Sequence, residues 1–207
     1  MTATWLDEVS SVVVTIPGVR SHGEWGDQLY AAMQSDPRYR TVAWEPLNYP
    51  FTLAVIGWGI NWAPWCRHWL TDWCQRELWR IQQRYQGKPL DIVCHSYGTW
   101  LAWHSIRRSM LSIMPVQIHT LVMVGSVIHC DDPCEAVSEG YIKRIINCWS
   151  SNDEVVRFAP EPFGHAGSVG LQTKIETVKN SEDLRLGHGG YWEQPSFYQR
   201  VLNELAV

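Results

Sequence analysis

Leu90-Asp-Ile-Val-Cys-His-Ser-Tyr-Gly-Thr-Trp-Leu-Ala-Trp103 joins two periodicities without a linker. The apolar run 90–94 reads as a short buried strand, and from Tyr97 onward apolar residues recur at helical spacing over 97–110. Between them stands His95-Ser96-Tyr97-Gly98. A serine at a tight strand-to-helix turn has its hydroxyl pushed out above the helix N-terminus. There the helix dipole and free backbone N–H groups can stabilise developing negative charge. Such a turn is a nucleophile elbow, usually written G-x-S-x-G. Here Cys94 replaces the first glycine, at a position that must be small because strand and helix backbones converge on it. The plainer reading makes Ser96 an ordinary helix N-cap.

Outward from this turn, strands and helices alternate. The β-branched run 11–16 is stopped by Pro17-Gly18 and reads as a buried strand. A helix follows over 23–33, ended by Asp36-Pro37, and then a strand over 41–47. Residues 51–61 are apolar but irregular. Pro64 suits the first turn of a helix running to Tyr85, which Gly87-Lys-Pro89 ends. After the elbow come strands over 117–127 and 141–149, a short one over 176–180, and a closing helix over 193–205. This order implies βαβ units in a mostly parallel sheet with helices on both faces.

The chain has 207 residues, a length suited to one domain with a full core. Its 17 basic and 21 acidic residues give a net charge of −4 without a Lys/Arg run, so no nucleic-acid partner is expected. Asp7 and Glu8 interrupt the N-terminus before any apolar core, unlike a signal peptide. The apolar segment 51–66 is short for a membrane span and carries Asn61 and Pro64. A soluble, cytoplasmic protein without stable membrane insertion is the expectation. Six cysteines show no metal-type spacing, so no metal site is expected. Cys94 and Cys148 read as buried hydrophobes, and Cys130 and Cys134 as loop thiols, near enough in sequence to bridge.

A serine nucleophile needs a base and a carboxylate to orient it. In a parallel α/β sheet both should lie beyond the C-terminal ends of later strands. Asp153 follows the strand ending at Trp149, and His188 lies in Gly187-His188-Gly189-Gly190, after the last short strand. The eight histidines leave rivals. His165 is the main one. His95 should point away from Ser96 by strand alternation, His68 and His104 sit on predicted helices, and His22 lies near the loop after the first strand. Asp131 and Asp132 are alternative acids. Asp153 could also be a helix N-cap before Val155.

This order of Ser96, Asp153 and His188 resembles the α/β-hydrolase superfamily, over nearly the whole chain from Val12 to Leu205. The resemblance implies Ser96 as nucleophile, Asp153 as acid and His188 as base. Ile16-Pro17-Gly18-Val19-Arg20 is similar to the family's oxyanion loop, with Pro17 where a histidine is usual. It implies the backbone N–H groups of Val19 and Tyr97 as oxyanion donors. The length leaves little room for a cap domain and resembles small esterase and lipase-like members.

Among the thirteen tryptophans, Trp58, Trp62, Trp65, Trp69 and Trp73 recur on one helical face. The simplest reading packs this stripe against the sheet. The alternative makes 51–65 a small apolar flap over Ser96. The expected function is hydrolysis of a small-molecule carboxylic ester or thioester through an acyl-serine, with no cofactor. Amide cleavage by the same residues, or a catalytically silent binding module, are the alternatives.

Overall fold

Val12, Val13, Val14 and Ile16 make β1 (Ser11–Ile16) buried at every position, as an inner strand covered on both faces must be. The computed structural model describes residues 5–19, 24–49, 64–183 and 185–205. Within them β1 is joined by β2 (Val42–Pro46), β3 (Leu90–His95), β4 (Ile118–Val124), β5 (Ile142–Trp149) and β6 (Val178–Glu182). All pairings are parallel, in the order β2-β1-β3-β4-β5-β6. The longer described helices are α1 (Glu24–Ser35), α2 (Pro64–Arg84), α3 (Tyr97–Met110) and α4 (Pro195–Glu204).

Alternation along the strands divides the core. Val12, Val14, Ile92, Cys94, Leu121 and Met123 share one cluster with Leu70, Leu78 and Leu101 of α2 and α3. Val13, Val93, Val122, Val124 and Ile146 share another with Leu29 and Met33 of α1 and Val201 and Leu202 of α4. The sheet thus carries helices on both faces. Its register aligns His95, Val124, Cys148 and Ser181 in one row. The loops leaving β3, β4, β5 and β6 therefore emerge side by side at one edge.

Several boundaries differ from the sequence reading by two or three residues. β4 stops at Val124 instead of 127, because Gly125 turns the chain at φ 54°. Val127 then gives its amide to Thr99 Oγ1. β6 begins only at Val178, whose amide first closes a turn to the Ile175 carbonyl. The closing helix starts at Pro195, not 193, with Gln194 as its N-cap.

The tryptophan stripe requires a correction. Trp65 and Trp69 are 65 % and 44 % exposed, and only Trp73 packs partly against the core. Leu70, Cys74 and Leu78 point inward instead, with Cys66 buried before them. The buried stripe is thus offset by one residue from the aromatic one, about 100° around the helix. Trp58, Trp62 and the flap segment 51–63 lie outside the described residues. Cys130 and Cys134 are free thiols. Among the described residues, no helix is long and apolar enough to cross a membrane.

Candidate active site

Ser96 lies between the last residue of β3 and the first of α3, at φ 54° and ψ −126°. A left-handed backbone costs a non-glycine residue about 1–3 kcal/mol and persists only where its surroundings impose it. Here they do. The Ser96 amide donates to the Val124 carbonyl at 2.9 Å. The Ser96 carbonyl accepts from the Thr99 amide at 2.9 Å and from the Thr99 hydroxyl at 2.7 Å. Thr99 Oγ1 in turn accepts from the Val127 amide at 3.1 Å, tying α3 to the loop after β4.

The tightest approach in this turn falls on Gly98. A Cβ there would stand 2.3 Å from the Ile16 carbonyl oxygen and 2.6 Å from that of Pro17. Cys94 instead sits in the core, with its thiol donating to the Val122 carbonyl at 3.4 Å. Burial pushes that thiol well above its ordinary pKa, which removes it as a rival nucleophile.

Asp153 lies at the end of the turn that follows β5 and is fully buried. One carboxylate oxygen accepts the Val156 amide at 3.0 Å and so caps the helical turn Glu154–Arg157. Both oxygens face Nδ1 of His188, at 3.0 and 2.9 Å. A carboxylate only accepts, so Nδ1 carries the proton and Nε2 the lone pair. Ser96 Oγ, 2.8 Å from Nε2, donates to that lone pair. The expected three residues are thus brought into one hydrogen-bonded line from three separate loops.

Gly125 makes this line possible. A Cβ on it would lie 3.1 Å from Asp153 Oδ2 and 3.1 Å from the His188 ring. Sequence reading missed this residue, and missed Thr99. The available signals were a glycine directly after a buried strand and a threonine three residues past the serine.

The loop expected to supply oxyanion donors lies against the elbow. A Cβ at Gly18 would come 2.8 Å from Ser96 Cβ, and Val19 follows it, buried. Tyr97 opens α3, where the first amide has no acceptor within its own helix. Its ring stacks on Trp100 at 5.8 Å and meets Phe163 and Tyr49 edge-on at 5.9 and 6.2 Å. Tyr49 donates its hydroxyl to the Pro17 carbonyl at 2.7 Å. Tyr97, Trp100, Phe163 and Tyr49 thus form one buried aromatic cluster at the start of α3.

The rivals lie elsewhere. His165 gives its Nδ1–H to the Val156 carbonyl at 2.9 Å, at the start of the helical turn Ala166–Val169. Asp132 accepts from Trp103 Nε1 and pairs with Arg107, while Asp131 is exposed. His68 is exposed. His104 rests on Trp100 at 4.3 Å, and burial with nearby Arg107 pushes its pKa down to about 4. His22 and Arg20 lie outside the described residues.

No protein-family model matches the sequence, and no curated protein does. Solved structures do. The chain is similar to esterase PE8, with a TM-score of 0.58 and 15 % identity, over 95 % of this chain and 94 % of that one. It is similar to acyl-protein thioesterase 2 of Zea mays, with a TM-score of 0.58 and 13 % identity, over 94 % and 92 %. The RedJ thioesterase of Streptomyces coelicolor gives a TM-score of 0.56 and 11 % identity, over 97 % and 87 %. An α/β-hydrolase enzyme from a deep-sea metagenome matches at a TM-score of 0.52 and 12 % identity, over 94 % and 88 %. At such identities the likeness concerns the fold, and the fold is that of the α/β hydrolases.

Proposed function

We propose that this chain is a serine hydrolase cleaving a carboxylic ester or thioester through an acyl intermediate on Ser96. The observation that carries this reading is the line from Ser96 Oγ to His188 Nε2, 2.8 Å, and from His188 Nδ1 to Asp153, 2.9 Å, on a left-handed turn. The names of its structural neighbours, an esterase and thioesterases, agree with that chemistry.

In this mechanism Ser96 Oγ attacks the acyl carbonyl carbon as its proton passes to His188 Nε2. The carbonyl oxygen gains the negative charge and turns toward the backbone N–H groups of Val19 and Tyr97. Asp153 holds the tautomer and stabilises the imidazolium. As the tetrahedral intermediate collapses, the alcohol or thiol leaves with the His188 proton. Water then attacks the acyl-serine, giving a proton to His188, and the acid departs as the serine is reprotonated. Residues 1–207 act in this reading as one catalytic domain that needs no cofactor.

A fluorophosphonate probe should label the chain at Ser96, and short p-nitrophenyl esters should be hydrolysed. Ser96→Ala should keep the thermal midpoint and lose both activities. Comparing an ester with its matching anilide separates ester from amide cleavage. A wild-type chain that resists the probe would be a hydrolase-shaped binding module instead.

A further inference from the structure

His95 ends β3, next to Ser96, and strand alternation turns its side chain away from the serine. It is 6 % exposed. Trp25 and Trp192 meet its ring edge-on at 6.5 and 5.9 Å, and they stack on each other at 4.2 Å. The His188 ring lies tilted against it at 4.8 Å. Its Nε2 is 3.0 Å from the His188 carbonyl oxygen. A carbonyl only accepts, so Nε2 carries the hydrogen and Nδ1 is a bare acceptor.

That Nδ1 is buried without a hydrogen-bond partner. It lies beside Gly18, where a Cβ would approach it to 3.3 Å. An apolar side chain would fill an aromatic nest without leaving an acceptor unmet, so packing alone gives no reason for an imidazole here. The bond it does make is to the main chain of the proposed base. Gly187, Gly189 and Gly190 surround His188, and such a loop has little preference of its own for one backbone path. The Gly190 amide closes it on the Gly187 carbonyl at 3.0 Å. Burial and the neighbouring His188 push the His95 pKa down to about 3, so it remains a neutral single donor while His188 exchanges protons.

We infer that His95 is a positioning residue for this reaction, its Nε2–H holding the His188 main chain so that the imidazole stays in line with Ser96. One buried ring thereby holds the histidine loop while lying beside the Gly18 turn. The inference rests on the hydrolase reading of Ser96, His188 and Asp153.

The test compares His95→Gln, whose terminal amide reaches as far as Nε2, with His95→Met, of similar length and without a donor. Fluorophosphonate labelling rate, kcat and KM are measured for both and for the wild type. His95→Gln should stay within about threefold of wild type. His95→Met should lose about tenfold to a hundredfold in labelling rate and kcat, with KM within about twofold. If the Met variant does not fold, His95→Asn, with an amide too short to reach the carbonyl, takes its place with the same expectation. Equal rates for donor and non-donor variants of an active wild type overturn the positioning role. A wild-type chain that never labels overturns the hydrolase reading itself.

Discussion

Asp153 accepts from two donors of different kinds, the Val156 amide and the His188 imidazole. The two duties can be separated by chemistry. Asparagine keeps an oxygen for the amide but no longer offers a carboxylate that imposes the Nδ1–H tautomer. Asp153→Asn should therefore leave the urea midpoint nearly unchanged while kcat falls by about 10³- to 10⁴-fold. Asp153→Ala removes the cap as well and should cost about 1 kcal/mol more in stability. Equal midpoints for the two variants would show that the cap contributes nothing. Asp153 stood out in the sequence because a carboxylate at a strand end before Val155 answers both demands at once. Gly125 was not, since its value lies in the side chain it lacks beneath two residues far away in sequence.

At the scale of the element, α2 shows how a correct period can carry a wrong phase. Trp65, Trp69 and Trp73 repeat as helix residues do, and so do the neighbouring Cys66, Leu70, Cys74 and Leu78. Hydropathy along the chain cannot choose between adjacent stripes; contact with β1, β3 and α3 does. Leu70 is fully buried, and Leu70→Ala should destabilise by about 2–5 kcal/mol. Trp69, 44 % exposed, should tolerate Gln within about 0.5 kcal/mol. Chemical denaturation of the two variants checks the phase, and a larger loss for Trp69→Gln would rotate the helix. The elbow helix α3, by contrast, matches its expected bounds, because it starts directly after the turn at Ser96 that ends β3.

For the whole molecule, buried neutral histidines tie stability to pH. His95 is held at about 3 and His104 at about 4, each chiefly because burial disfavours the charged ring. Both lie below the unfolded value of about 6.5. As pH falls below that value, the unfolded chain binds a proton that the folded chain refuses. Their contribution is therefore full above about pH 6.5 and is lost as pH falls toward 3–4, by about 1.4 kcal/mol per unit for each ring. Urea midpoints should drop from pH 7 to pH 5, and His104→Gln should lessen the drop. A midpoint flat across that interval would mean that these rings take up protons in the folded state.

The sequence by itself determined the local grammar of this protein. Valine-rich runs became strands, proline and glycine ended elements, and the order Ser96, Asp153, His188 at successive strand ends was readable. All of these act over a few neighbouring residues. Tertiary structure alone decided the rest: which stripe of α2 faces inward, where β4 stops, and which carbonyl the His95 ring meets. It also decided that Gly125 and Gly98 must lack side chains. Each of these depends on atoms brought to close distances by elements whose positions along the chain are tens of residues apart. Register and close packing, not local pattern, set those distances.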